Sequence, residues 1–276
     1  MGIEWPLVLF TVFAGAGAGM LVFAGIGEFF NASKKARFIA AICSLILLVV
    51  GGLLSLLHLG NPSNFMAAAA NLFSFSPISL ELIFLGLGVI VAIIYLVVVN
   101  REGGASKAIG VIGIIVGIIF AYVSGHGYEV IAIRPAWATP TLTLSYALSA
   151  LTIGGFLFLV LQVIFKDEAD SIKKVAMVVL VVAVLETILY IAYGALAPLG
   201  DSAILFWIGA VVVGGLIAAV AGLLAWMKNN QAMVYVGVLA AIIGGIAFRA
   251  VMWLAGSAFL PNFYDVAAHN RGLWPF

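Results

Sequence analysis

FIAAICSLILLVVGGLLSLLHL, residues 38–59, decides the fold of this chain. Its 22 positions hold no Asp, Glu, Lys or Arg. At 1.5 Å per residue, roughly 20 helical residues cross a bilayer core of about 30 Å. The run is preceded by Lys34, Lys35 and Arg37. It is followed by Gly60, suited to a left-handed helix cap, and by Pro62, which stops a helix. The stretch reads as one membrane-spanning helix.

Outward from it, similar runs recur at approximately 6–30, 79–99, 108–126, 142–165, 174–197, 203–226 and 232–256. With 38–59 they make about eight spans, an all-α integral membrane protein in a single transmembrane domain, 1–276. Eight spans can split into two four-helix bundles, though no convincing internal repeat marks the division. Composition agrees, with 65% hydrophobic and only 8% charged residues. Mean hydropathy is +1.28. A soluble domain carries about 25% charged residues, so its surface could not be built from this supply. The N-terminal run from Leu7 to Phe30 is too long for a signal-peptide core and lacks a basic leader, Glu4 being its only early charge; it reads as a retained first helix.

The loops alternate in charge. Those after spans one, three, five and seven read NASKKAR, NREGGASK, KDEADSIKK and MKNNQ, and hold nine of the twelve basic residues. The other loops and both termini hold only Arg134 and Arg271, and Arg249 lies inside a span. By the positive-inside rule, both termini face outward. Trp5, Trp137, Trp207, Trp253 and Trp274 then fall near the outer boundary and Trp226 near the inner one. Glycine pairs such as Gly15 with Gly19 and Gly113 with Gly117 let helices approach closely, with packing inside one chain favoured over a dimer face.

The net charge of +1 and the lack of a basic block give no sign of nucleic acid. One cysteine, Cys43, excludes an internal disulfide framework and an iron–sulfur cluster, which needs about four thiolates.

An ionisable side chain at mid-bilayer costs on the order of 3 kcal/mol, so each asks for a reason. Arg249 lies about 26 Å from the inner boundary at 1.5 Å per residue, in the outer third of the bilayer, where a carboxylate or ligand partner is expected. His58 falls in the last turn of the second span, either a functional group or a capping histidine. Glu81 opens the third span behind Ser76, Pro77 and Ser79, where the helix dipole by itself could favour a carboxylate. Both sit at the outer end, with Arg249 close below. Glu186 lies roughly 18 Å deep, as a structural hydrogen-bond donor or a step in a proton path. Glu28 and Glu168, near the inner boundary, need no special reason. A bis-histidine haem would need two of His58, His126 and His269, with His126 the one partner suited to His58, so no haem or metal is expected in this chain.

At these residues the chain resembles the membrane anchor subunits of the anaerobic dimethyl sulfoxide reductase family, distantly akin to polysulfide reductase anchors. The resemblance runs through Glu4-Trp5-Pro6-Leu7 with Thr11-Val12-Phe13, then Leu57-His58-Leu59-Gly60 with Pro62. It continues through Glu81, then Trp137, Thr139 and Pro140, and ends at Arg249 with Trp253 a turn later. It implies a multi-pass subunit of a prokaryotic cytoplasmic (inner) membrane that serves anaerobic respiration. Such a subunit binds and oxidises menaquinol, and passes electrons to an iron–sulfur (four-cluster ferredoxin-like) subunit and a molybdopterin catalytic subunit. The family's quinol-site histidine falls on His58, its carboxylate on Glu81 and a family arginine on Arg249. The sequence departs at HGYEVIAIRPAW, residues 126–137, which leaves Tyr128 and Arg134 as weaker candidates.

The residues suit that chemistry. Oxidising a quinol removes two electrons and two protons, and a neutral imidazole with a pKa near 6.5 is a matched base. A carboxylate can orient the imidazole or take the second proton. The competing reading is a secondary transporter of a small solute or ion, which places its coupling groups near the bilayer centre on broken helices. Here only Glu186 is central and no span carries a mid-helix proline.

Overall fold

The structure is a computed structural model that describes residues 2–59, 64–101, 105–131 and 133–270, with the side chains at 64, 67, 68, 105 and 257–270 outside the description. Gly60, Pro62, Arg271 and Trp274 therefore lie outside the described residues, as does the side chain of His269. Among the described residues there is no strand.

Among the described residues, eight helices are long and apolar enough to cross a membrane. They are α1 (Trp5–Phe29), α2 (Lys34–Leu56), α4 (Pro77–Val98), α5 (Ala105–Glu129), α6 (Pro140–Ile164), α7 (Ala169–Leu196), a composite seventh span and α10 (Gln231–Asn270). The seventh runs through α8 (Ala203–Leu205), a π-helical stretch Phe206–Ile217 and α9 (Ala218–Lys228). A short helix, α3 (Asn64–Ala70), and a 3-10 turn, Leu72–Ser74, fill the loop between α2 and α4.

The neighbours divide the chain into two rings of four. In the first, α1, α2, α4 and α5 pack in succession and α5 closes back on α1; in the second, α6, α7, the seventh span and α10 do the same. The rings meet where α6 lies against α1 and α5. The first helix is the axis of the molecule: 83% of its apolar window is buried, against 28% for α2 and 22% for α4. These last two present their flanks to lipid.

Small residues make that burial possible. A Cβ on Gly19 would sit 2.2 Å from the Ala150 carbonyl oxygen, and one on Gly154 would sit 2.3 Å from the Gly19 backbone, so α1 and α6 touch backbone to backbone. Gly15 meets Ala150, and Gly117 meets Ala18 and Val22, so both glycine pairs serve packing within one chain. Gly214 and Gly244 bring the π-helical stretch onto α10 in the same way. The sequence pattern predicts an ordinary α-helix there; the wider i→i+5 turn is a local departure that apolar periodicity does not report.

Helix ends follow local chemistry. The Ser33 hydroxyl accepts from the Ala36 amide at 3.1 Å, so α2 begins at Lys34, four residues before the apolar run. Ser76 caps α4 by accepting from the Ser79 amide at 3.2 Å, with Pro77 in the first position, as the start signals predict. The α7 helix begins at Ala169, a turn ahead of the apolar run, and its first turns carry an exposed Lys174–Asp170 pair at 2.5 Å. The last helix extends to Asn270, well past the expected 256.

Candidate functional site

The C-terminal end of α2 and the N-terminal end of α4 converge over α1 and α5. A cavity of about 300 Å³ opens there, lined by both His58 and Glu81, with Ser55, Ser124, Phe10 and Tyr128 among its walls. Tyr128, Trp137 and Trp253 form its aromatic side, packed edge to face with ring centroids 5.4 Å (Tyr128–Trp137) and 5.0 Å (Trp137–Trp253) apart. The Trp137 indole N–H donates to the Met252 carbonyl at 2.8 Å, which fixes that wall.

His58 stands two residues beyond the end of α2, not within its last turn. Its Nδ1 lies 2.5 Å from the carbonyl oxygen of Ser55, one of the acceptors a helix C-terminus leaves without an intrahelical donor. A carbonyl only accepts, so Nδ1 carries the proton of that bond. In the neutral ring Nε2 is then the basic nitrogen. The cap and the base are thus one arrangement: the helix end sets the tautomer, and the other nitrogen is left to work.

Glu81 is the fifth residue of α4, past the first turn, so the helix dipole does not account for it. It lines the cavity beside Ser124. One of its oxygens, Oε1, is buried without a hydrogen-bond partner among the described residues. A buried acceptor left open in a cavity wall is a place for a ligand's donor.

Arg249 does not line this cavity. It is 1% exposed, and its guanidinium donates to the Thr11 hydroxyl at 2.9 Å, the Ser149 hydroxyl at 3.0 Å and the Gly245 carbonyl at 3.1 Å. It also stacks over the Tyr146 ring at 4.4 Å. The carboxylate within its electrostatic reach on the inner side is Glu186, itself 1% exposed and facing Thr152, Tyr190 and Ser149. The structure therefore groups Arg249 with Glu186 across Ser149, where depth along the helix had grouped it with His58 and Glu81. Tyr128 and Tyr146, with centroids 5.6 Å apart, stand between the two groups. Both feel the charges of Glu81 and Arg249.

His126 is likewise outside the cavity. Its Nδ1 lies 3.6 Å from Glu129 Oε2 and its ring stacks on Tyr122 at 5.8 Å. Arg134 sits over the Trp137 ring at 4.2 Å, behind the aromatic wall, where partial burial lowers its pKa. At the opposite end of the bundle Glu28, taken from sequence as a boundary residue, is 6% exposed. It pairs with Arg37 and accepts from the Tyr95 hydroxyl at 2.6 Å and the Ser106 hydroxyl at 3.2 Å, joining α1, α2, α4 and α5. A cavity of about 420 Å³ elsewhere, against Met20, Cys43 and Leu157, has no imidazole, carboxylate or hydroxyl in its walls.

Sequence reading missed Ser55, Ser124 and Phe65 as cavity residues. Each is an ordinary helix-face residue whose only signal is its position relative to residues far away in the chain.

The fold and the cavity define a multi-pass membrane protein with an imidazole and a carboxylate facing one space at one end of a four-helix ring. The family profile described as DMSO reductase anchor subunit (DmsC) matches residues 1–203, and the chain belongs to that family. Among characterised proteins, the anaerobic dimethyl sulfoxide reductase chain YnfH of Escherichia coli (strain K12) is 29% identical over 176 residues. That match covers 56% of this chain and 56% of the relative's length.

Proposed function

We propose that this anchor subunit binds and oxidises menaquinol in the cavity between α2 and α4, at the outer face of a prokaryotic cytoplasmic membrane. The electrons pass to an iron–sulfur (four-cluster ferredoxin-like) subunit docked on that face and on to a molybdopterin catalytic subunit. The observation that carries the reading is that His58 and Glu81 line one cavity, the first with Nε2 as its basic nitrogen and the second with an open buried oxygen.

The steps balance with these two groups. As the quinol gives up two electrons, one after the other, to the iron–sulfur subunit, its two O–H bonds break. Nε2 of His58 takes one proton, and the Glu81 carboxylate takes the other. Protonated His58 keeps its Nδ1–H on Ser55 O, so the ring does not turn between states. The aromatic wall of Tyr128, Trp137 and Trp253 suits a flat bicyclic ring. Position at the charge-poor end of the molecule lets protons leave to water on the outer side.

The test is menaquinol oxidation by the assembled complex. His58→Ala is expected to lower the rate by about two to four orders of magnitude while the subunits still co-purify. Glu81→Gln, which keeps the shape and removes the base, is expected to lower it by at least about 100-fold. Undiminished oxidation in His58→Ala overturns the assignment.

A further inference from the structure

The head cavity does not end at His58. A second space of about 350 Å³ adjoins it, and Ser55, Leu56, Phe65 and Leu82 line both. From those shared residues it descends between α2 and α4, along α2 as far as Leu48 and along α4 as far as Val89. Eight positions on α2 and seven on α4 correspond to about 10–12 Å along the helix axes. The groove thus runs from the outer level of the membrane toward its middle.

Its chemistry changes along the way. Imidazole, carboxylate and hydroxyl groups line the head cavity, whereas apart from Ser55 the groove is walled by apolar side chains and two glycines, Gly52 and Gly86. The one side-chain hydroxyl it shares with the head cavity, Ser55, already donates its hydrogen to the Gly52 carbonyl of its own helix at 2.7 Å. A Cβ on Gly86 would meet nothing within 4 Å, so the missing side chain leaves open space and not a backbone contact. Most other glycines of the described spans meet a neighbouring helix or side chain at under 3.5 Å; Gly86 does not.

We infer that this groove between α2 and α4 holds the isoprenoid tail of the quinol whose ring occupies the head cavity, and that Gly86 keeps it open. The inference rests on the quinol reading of the head cavity. The occupant follows from adjacency: a ligand with a flat ring bearing two hydroxyls and a long apolar chain matches a cavity that carries an imidazole and a carboxylate and shares four wall residues with an apolar one. Helices α2 and α4, the two least buried spans, leave the groove open to the bilayer for the rest of the chain.

The test compares two quinols in the assembled complex: menaquinol with its prenyl tail, and menadiol, which has the ring alone. Gly86→Phe is expected to lower kcat/KM for the tailed quinol by about tenfold or more and to leave menadiol within about twofold. Gly86→Cys in a Cys43→Ala background, alkylated with a bulky maleimide after assembly, puts the same obstruction into a complex already folded. Equal effects on both quinols, or none on either, overturn the tail groove, as does a phospholipid acyl chain held there without any dependence on tail. His58→Ala read with menadiol alone separates the two proposals: its failure to reduce that rate sinks the head site, while Gly86 variants report only on the tail.

Discussion

A ring nitrogen 2.5 Å from a carbonyl oxygen must bear hydrogen, and at His58 this settles the tautomer from its protein partner before any ligand arrives. Arg249 shows the opposite use of a polar side chain. Its donors go to Thr11, Ser149 and Gly245, and its plane covers Tyr146, so it ties α1 and α6 to α10. Arg249→Ala is expected to destabilise the subunit by about 1–3 kcal/mol, because the Thr11 and Ser149 hydroxyls and the Gly245 carbonyl lose a buried charged donor. Arg249→Lys recovers only part of this, since an ammonium offers no planar fork. Thermal unfolding in detergent checks both. An unchanged midpoint with impaired quinol oxidation would return Arg249 to the quinol site.

Among the elements, α1 carries the most. It is apolar around its whole circumference, which is how a helix surrounded by other helices must read. At its inner end, Glu28 draws α2, α4 and α5 together through Arg37, Tyr95 and Ser106. Removing one member of a buried pair strands the other's charge, while replacing both by apolar groups does not. Arg37→Leu is therefore expected to lower stability by about 3–5 kcal/mol, and Arg37→Leu with Glu28→Leu to restore most of it. Measured unfolding of the single and double variants decides the point; additive losses would contradict it. The same helices show how far local signals reach. Ser76 marked its cap correctly, but the Ser33 cap of α2 was not read from the sequence, and the end of α2 fell at Leu56 and not at His58, because the turn that follows serves the cavity.

For the whole molecule, the charge asymmetry places the loops at 30–33, 99–101, 165–168 and 229–230 inside and the cavity end outside. A cysteine introduced at Lys173 is expected to react with an impermeant maleimide only after the cells are opened, and one at Phe75 in intact spheroplasts. Both would be made in a Cys43→Ala background, and the reverse pattern would invert the assigned topology. In the proposed function the electron-accepting subunits dock at the cavity end, so the labelling experiment bears on that proposal directly.

Eight spans, their order and their charge bias were legible in the residues alone. In lipid every backbone group must be satisfied within its own helix, so each apolar run specifies its element without reference to the others. His58 and Glu81 could be named as neighbours in depth because distance along a helix is a local quantity. Which way each faces is not. The bonds from Arg249 to Thr11 and the cavity shared by Ser55, Ser124 and Trp253 join residues from far-separated parts of the chain. They depend on the rotation of each helix about its axis, and that rotation is set by glycine contacts such as Gly19 on Gly154, which exist only once the two four-helix rings have packed.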